Sequence, residues 1–368
     1  MAIDNIYINN FTVFKDLKIE FCKGINVIIG GNGTGKTQLL KFLYALHETA
    51  HEKYKNTNLI KEDQKNEIEK DLEHEKRFEV FQKCFTPNLY PLLLQHKKDF
   101  YLTQAPEKVA NMILTMDNTI INELYAENVE TRAGMASISK AHFRSNLSNT
   151  HTVQSVFIPA KEMLTHSTIY DMYEKYKDQM PYDYTFLKII ELARRWTVNE
   201  TPIIAKEIKN KLEKIIEGTV IRREDGSFWM KKNEDLQIPF SNESDGFKIF
   251  GLLWQLIMNE SITENSVLFW DEPENSINPE NIPVLVEILL ELQRHGIQIF
   301  VTTHNYHIMN HITTCQNKSD DIKYICLTKI GNNTTSEESD RYDTLSSNPI
   351  VDSAITMYEE EISKGLGT

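Results

Sequence analysis

Residues Gly30-Gly31-Asn32-Gly33-Thr34-Gly35-Lys36-Thr37 complete the pattern G-x-x-x-x-G-K-[ST], with Gln38 next in line. Each residue type has a use in holding a polyphosphate. The glycines let the backbone turn tightly enough for successive N–H groups to face inward onto phosphate oxygens. Lys36 supplies a cation for the β- and γ-phosphates, and Thr37 supplies a hydroxyl for Mg²⁺. The nucleotide contacts expected here are Gly30, Asn32, Gly33, Thr34, Gly35, Lys36, Thr37 and Gln38.

Three further pieces would turn binding into chemistry. Val267-Leu268-Phe269-Trp270 is an apolar run ending in Asp271 and Glu272. Asp271 can complete the Mg²⁺ shell with Thr37, and Glu272 can polarise an attacking water. His304 closes the run Phe300-Val301-Thr302-Thr303. If the two runs are parallel neighbours, their ends share one sheet edge and His304 arrives beside Glu272 and the γ-phosphate. Ser244 and Gly246, in Ser241-Asn242-Glu243-Ser244-Asp245-Gly246-Phe247-Lys248, stand at the start of an apolar helix, a second place for an anion.

These residues need a scaffold, and the apolar spacing supplies one. Residues 25–29 read as the strand before the loop, and residues 38–46 as the helix after it. Upstream, Ile6 and Ile8, then Leu17, Ile19 and Phe21, alternate as two half-buried strands. Residues 153–158 form a strand ended by Pro159, and helices follow through Glu217. Short strands at 220–222 and 228–231 flank the turn Glu224-Asp225-Gly226-Ser227. A buried helix spans 247–258, and strands 267–270 and 298–302 bracket a helix at 282–294. Strand, helix, strand with short connections signals a parallel sheet covered on both faces. The tail offers a strand at 322–327, a polar loop at 332–340 and a closing helix at 350–363.

In that order, phosphate loop, serine-glycine signature, Asp-Glu strand and histidine resemble an ABC-type ATPase head of the SMC/RecF class. Residues 8–21 are similar to the opening strands of that class. Asp271-Glu272-Pro273-Glu274-Asn275-Ser276-Ile277-Asn278-Pro279 resembles the Asp-Glu-Pro-Glu stretch of OLD-like ATPases, many of which serve in bacterial defence against phage. The resemblance covers residues 1–47 and 153–368. It implies an α/β head with a mixed, largely parallel sheet and an antiparallel N-terminal part. Residues 48–152 are then an insertion, read as charged and mainly helical. The ligands implied are ATP and Mg²⁺. The assembly implied is a head-to-tail homodimer, or a higher oligomer, with ATP sandwiched between heads. Ser244 and Gly246 would reach the partner copy's γ-phosphate, with residues 275–278 along the seam.

Two departures matter. Glu243 and Asp245 stand where transporter-type members carry an apolar residue and glycine. After strand 153–158, where relatives place a glutamine, this chain has Pro159-Ala160-Lys161-Glu162, and both Lys161 and Glu162 are open as substitutes. OLD nucleases carry a C-terminal nuclease domain, for which the residues after His304 are too few. A nuclease or toxin acting with this chain is expected to be a separate protein.

Composition narrows the setting. No apolar run approaches a membrane span, and no signal peptide is evident, so a cytoplasmic, membrane-free protein is expected. Cys22, Cys84, Cys315 and Cys326 lack C-x-x-C spacing and read as reduced thiols. A net charge of −13 argues against coating nucleic acid through a global field. Local basic pairs at Lys97-Lys98, Arg194-Arg195, Arg222-Arg223 and Lys231-Lys232 leave nucleic acid open as a partner. His47-Glu48-Thr49-Ala50-His51 is a literal H-E-x-x-H, with Glu67 or Glu69 as third-ligand candidates. It continues the loop helix into a charged stretch, whereas zinc hydrolysis needs a rigid, supported cleft, so it is read as structural. Tyr170, Tyr173 and Tyr176 recur at helical spacing and are read as a packed face.

Overall fold

Three segments, Ile25–Gly30, Val267–Asp271 and Gln298–Thr302, are buried along their whole length, which requires cover on both faces of the sheet they form. The computed structural model describes residues 2–57, 99–100, 109–116, 119–132, 135–145, 153–175, 184–232 and 236–365. Its strands are, in chain order, β1 (Ile3–Phe11), β2 (Phe14–Glu20), β3 (Ile25–Gly30), β4 (Asp99–Phe100), β5 (Val109–Met116), β6 (Thr119–Arg132), β7 (Met135–Ser145), β8 (Ser155–Ile158), β9 (Thr219–Arg222), β10 (Phe228–Lys231), β11 (Gln237–Pro239), β12 (Val267–Asp271), β13 (Gln298–Thr302), β14 (Ile322–Ile330) and β15 (Asn333–Ser339).

The central sheet runs β15-β14-β3-β13-β12-β8. All its pairings are parallel except β14 with β15. Alternate residues feed two cores. Leu268 and Trp270 of β12 join one with the helices Asp245–Met258 and Ile282–Arg294. Val267 and Phe269 join the other with Leu39, Leu43 and Tyr44 of the helix Lys36–Thr57 and with Ile6 and Ile8 of β1. The parallel register sets Asp271 opposite Thr302 and Leu327 opposite Gly30, so the loop and the ends of β12 and β13 emerge on one edge. Among the described residues, no helix is long and apolar enough to cross a membrane.

Two expectations are corrected. Residues 48–152 are not mainly helical where described. The loop helix runs on to Thr57, but β5, β6 and β7 form an antiparallel meander that extends the β2-β1 sheet. The reason is that Leu114 and Met116, two apart, dip into the core of β1, with Leu114 opposite Ile6. The neighbouring apolar residues Met112 and Ile113 hide that period in the sequence. Residues 332–340 are not a loop but largely β15, an edge strand paired with β14 from Tyr324↔Ser339 to Ile330↔Asn333. Its Thr, Ser and Glu side chains suit an edge that water reaches, and Thr334 alone of the strand is buried.

Candidate functional site

The loop is built by backbone shape. Gly30, Gly33 and Gly35 have φ of 144°, 74° and 94°, values that L side chains rarely adopt. A Cβ at Gly35 would also lie 2.7 Å from carbons of Val13 and Phe14, the turn between β1 and β2. Gly35→Ala is therefore expected to cost about 1–3 kcal/mol in chemical denaturation and to weaken nucleotide binding. Unchanged stability and affinity would contradict this packing.

Thr34 is buried and donates from its hydroxyl to the Gly31 carbonyl at 2.9 Å. Asn32, Gly33, Thr37 and Gln38 are exposed around it. Lys36 opens the helix, is nearly buried, and folds its Nζ back onto the carbonyls of Gly30 at 2.8 Å and Gly31 at 3.0 Å. Burial pulls its pKa down, against the opposing pull of Glu272, Asp271, Cys326 and Glu274.

The acidic strand end meets this lysine. Thr37 Oγ1 lies 3.1 Å from each oxygen of Asp271. Thr302 Oγ1 donates to Asp271 at 2.6 Å and accepts from the backbone N–H of Glu272 at 3.0 Å. Burial raises the pKa of Asp271, while the Thr302 and Thr37 hydroxyls work the other way. Glu272 holds a left-handed backbone with φ of 47°, a conformation that costs a non-glycine residue about 1–3 kcal/mol. Its carboxylate sits 2.7 Å from His304 Nε2. The expected neighbours Lys36, Thr37, Asp271, Glu272 and His304 are thus brought together.

Thr302, Thr303 and Glu274 extend this group, although sequence reading did not single them out. Glu274 accepts from Thr303 Oγ1 at 2.5 Å and from the His304 N–H at 2.9 Å, fixing the histidine loop to the segment after β12. Burial raises its pKa. The sequence signals were the place of Glu274 in the Asp-Glu-Pro-Glu stretch and of Thr302 and Thr303 just before His304.

No hydrogen bond among the described residues joins Ser244 or Gly246 to residues 30–38. Ser244 is the exposed N-cap of the helix Asp245–Met258, accepting from the Phe247 N–H at 3.4 Å. A Cβ on Gly246 would stand 3.1 Å from the Ser276 carbonyl, so this helix start rests on the 275–278 segment. The two acidic departures are both neutralised locally. Lys232 pairs with Glu243 at 2.8 Å, and Lys248 with Asp245 at 2.9 Å.

After β8, Glu162 is taken up in capping its own turn. It accepts from the backbone of Leu164 and Thr165 and from the Thr165 hydroxyl. Lys161 is left exposed. Asn275 Nδ2 donates to the Ala160 carbonyl at 3.5 Å, linking this segment to the one after β12.

The competing motifs are in part taken up by packing, while the side chains of His51 and Tyr173 lie outside the described residues. Glu48 of H-E-x-x-H is buried, accepts from Ser155 Oγ at 2.5 Å and lies 3.8 Å from Lys188. Among the described residues no group of three or more His, Cys, Asp or Glu could hold a metal. Glu67 and Glu69 lie outside the described residues. Tyr170 packs partly against the core beneath Arg194, while Tyr176 lies outside the described residues. Arg194 pairs with Asp171 at 2.7 Å, Arg222 stacks on Trp196 and Arg223 on Trp229. Lys97-Lys98 falls outside the described residues.

The donor set suits a hard cation beside a phosphate chain. Mg²⁺ is commonly held by one or two protein oxygens and the phosphates themselves, which is what Thr37 and Asp271 offer. Around buried Lys36 the carboxylates of Asp271, Glu272 and Glu274 leave an excess of negative charge that a cation would offset.

Comparison with known proteins agrees with this geometry. The family described as "AAA ATPase domain" matches residues 1–218, and "AAA domain, putative AbiEii toxin, Type IV TA system" matches residues 137–310. The DNA replication and repair protein RecF of Clostridium acetobutylicum is 36% identical over 64 residues, 17% of this chain and 18% of that protein. RecF of Tropheryma whipplei is 43% identical over 68 residues, 18% of this chain and 19% of its own. The chain thus matches less than a fifth of the length of these relatives. A solved SMC head bound to the C-winged helix domain of ScpA superposes with a TM-score of 0.50 at 13% identity, covering 93% of this chain and 99% of that one.

Proposed function

This chain belongs to the AAA ATPase domain family and has the fold of an SMC-type ABC ATPase head, and on that premise we propose that it hydrolyses ATP with Mg²⁺ between two copies of itself. The observation that carries the proposal is the approach of Thr37 to Asp271 at 3.1 Å, with Glu272 and His304 paired beside it at 2.7 Å. Bound Mg²⁺ would neutralise phosphate charge. Lys36 leaves the Gly30 and Gly31 carbonyls for the β- and γ-phosphates, Thr37 and Asp271 hold the metal shell, and His304 faces the γ-phosphate. Glu272 accepts a proton from the attacking water. Gly30, Asn32, Gly33, Thr34, Gly35 and Gln38 complete the cradle. Ser244 and Gly246 serve the other copy's nucleotide, an assignment supported by Ser244 being an exposed helix N-cap whose described hydrogen bond goes to its own helix. The chemistry is positioning and charge stabilisation, so the cycle works as an assembly switch.

In this reading the switch is a cytoplasmic sensor or scaffold of the OLD-like class in anti-phage defence, and it controls a separate nuclease or toxin. The Asp-Glu-Pro-Glu stretch supports that class. Purifying Glu272→Gln with co-expressed neighbouring proteins tests it, and a nuclease or toxin held in the presence of ATP is the expected result. A second reading, a repair ATPase that clamps duplex DNA, is favoured by the RecF segments. Steeply salt-dependent duplex affinity without an effector would decide for it.

Thr302→Val probes the metal side. Removing the hydroxyl takes from Asp271 a hydrogen bond that holds its pKa down, so that pKa rises further. The acid limb of the turnover profile is expected to move to higher pH, and stability to fall by about 1–3 kcal/mol. An unmoved limb would remove Asp271 from the metal site.

A further inference from the structure

The helix Pro349–Gly365 carries apolar side chains that it does not bury. Its first turn is anchored. Asn348 Oδ1 accepts from the N–H groups of Ile350 and Val351, and both side chains pack partly on the core. Beyond that turn, Ile355, Tyr358 and Ile362 are 50%, 54% and 61% exposed, and the helix has no buried residue. Val351, Ile355, Tyr358 and Ile362 follow one another at intervals of four, three and four, the a/d seam of a heptad. Beyond the anchored first turn the helix buries no side chain, so its exposed apolar residues are kept at a cost that a docked partner would offset.

The residues bordering the seam identify the partner's chemistry. With Ile355 and Ile362 at a and Val351 and Tyr358 at d, the e and g positions are Asp352, Ala354, Glu359 and Glu361. Two such helices set Ala354 at g against Glu359 at e when parallel, and Asp352 against Glu359 when antiparallel. Neither arrangement gives a carboxylate a cation, so a second copy gains no ion pair at the seam, whereas a helix bordered by Lys or Arg does. We propose that this seam docks a helix of a different protein, whose own apolar stripe is bordered by Lys or Arg. Taking that protein to be the effector rests on the switch reading above, whereas the docking itself does not.

The helix is rooted near the phosphate loop. Cys326 Sγ donates to the Ser347 carbonyl at 3.1 Å, and Cys326 lies opposite Ile29, the residue before Gly30. A partner seated on the seam would therefore be joined through two short links to the strand that ends in the loop.

The test uses the full chain and two synthetic helical peptides with the same Leu/Ile core, one with Lys at e and g, the other with Glu. Fluorescence anisotropy at low and high salt is expected to show the Lys peptide binding at least about tenfold tighter, with the preference fading in salt. The double variant Glu359→Lys/Glu361→Lys should reverse the preference. Ile355→Glu should abolish binding while ATP turnover is unchanged. Equal affinity for both peptides, no binding of either, or no reversal in the double variant would overturn the proposal. So would nucleotide-independent self-association abolished by Ile355→Glu, because the occupant would then be a second copy. Failure of the ATPase reading shows separately, as absence of turnover in the unaltered chain.

Discussion

Glu272→Gln is expected to bind ATP normally and to turn it over about 10²–10⁴ times more slowly, the range that loss of a general base accounts for. The substitution keeps side-chain volume and the left-handed backbone at φ 47°, and the N–H held by Thr302 is untouched. What it removes is the carboxylate that faces His304 at 2.7 Å. Lys36, Thr37 and the loop backbone, which carry binding, are unaltered. Paired copies should therefore accumulate in ATP and persist. Phosphate release under single-turnover conditions measures the rate, and light scattering on a sizing column measures the assembly. A variant that hydrolyses at the ordinary rate would mean that another group accepts the proton.

Ser244→Arg should abolish ATP-driven association while each chain still binds nucleotide. Ser244 is exposed and its capping hydrogen bond is long at 3.4 Å, so the fold should lose about 0.5–2 kcal/mol at most. The helix behind it is buried from Lys248 to Met258 and holds its place. Arginine puts a long side chain where the partner's γ-phosphate would sit. In the Glu272→Gln background, sedimentation with ATP should show single copies, and Ser244→Ala should show weakened pairing. A Ser244→Arg chain that still pairs normally would end the sandwich proposal.

Much of this was legible because the chain writes its central elements in one period. Strands 25–30, 267–271 and 298–302 are mostly apolar, and the residues proposed to do chemistry stand at or just past their ends. Parallel pairing then made the meeting of Glu272 and His304 a matter of topology. The meander at 109–145 was not legible, because its apolar residues stand side by side as well as alternately, and only pairing with β1 shows that Leu114 and Met116 face the core. β15 was missed for a related reason: an edge strand may be written in Thr, Ser and Glu, the same letters as a loop. Glu274 and Glu162 show a third limit. The sequence offers one within a family stretch and the other as an open substitute, and only contacts reveal that Glu274 anchors the His304 loop while Glu162 caps a turn.

A Cβ at Gly246 would meet the Ser276 carbonyl of its own chain at 3.1 Å, and Ser276 lies just past the Glu272 that would act on the chain's own nucleotide. In the proposed sandwich, a copy whose signature grips its neighbour's phosphate would bear on the segment that carries its own base. In kinetic terms that closeness would be a synchroniser: the state of one half-site would become an input to the other, and two nucleotides would be spent as a single event.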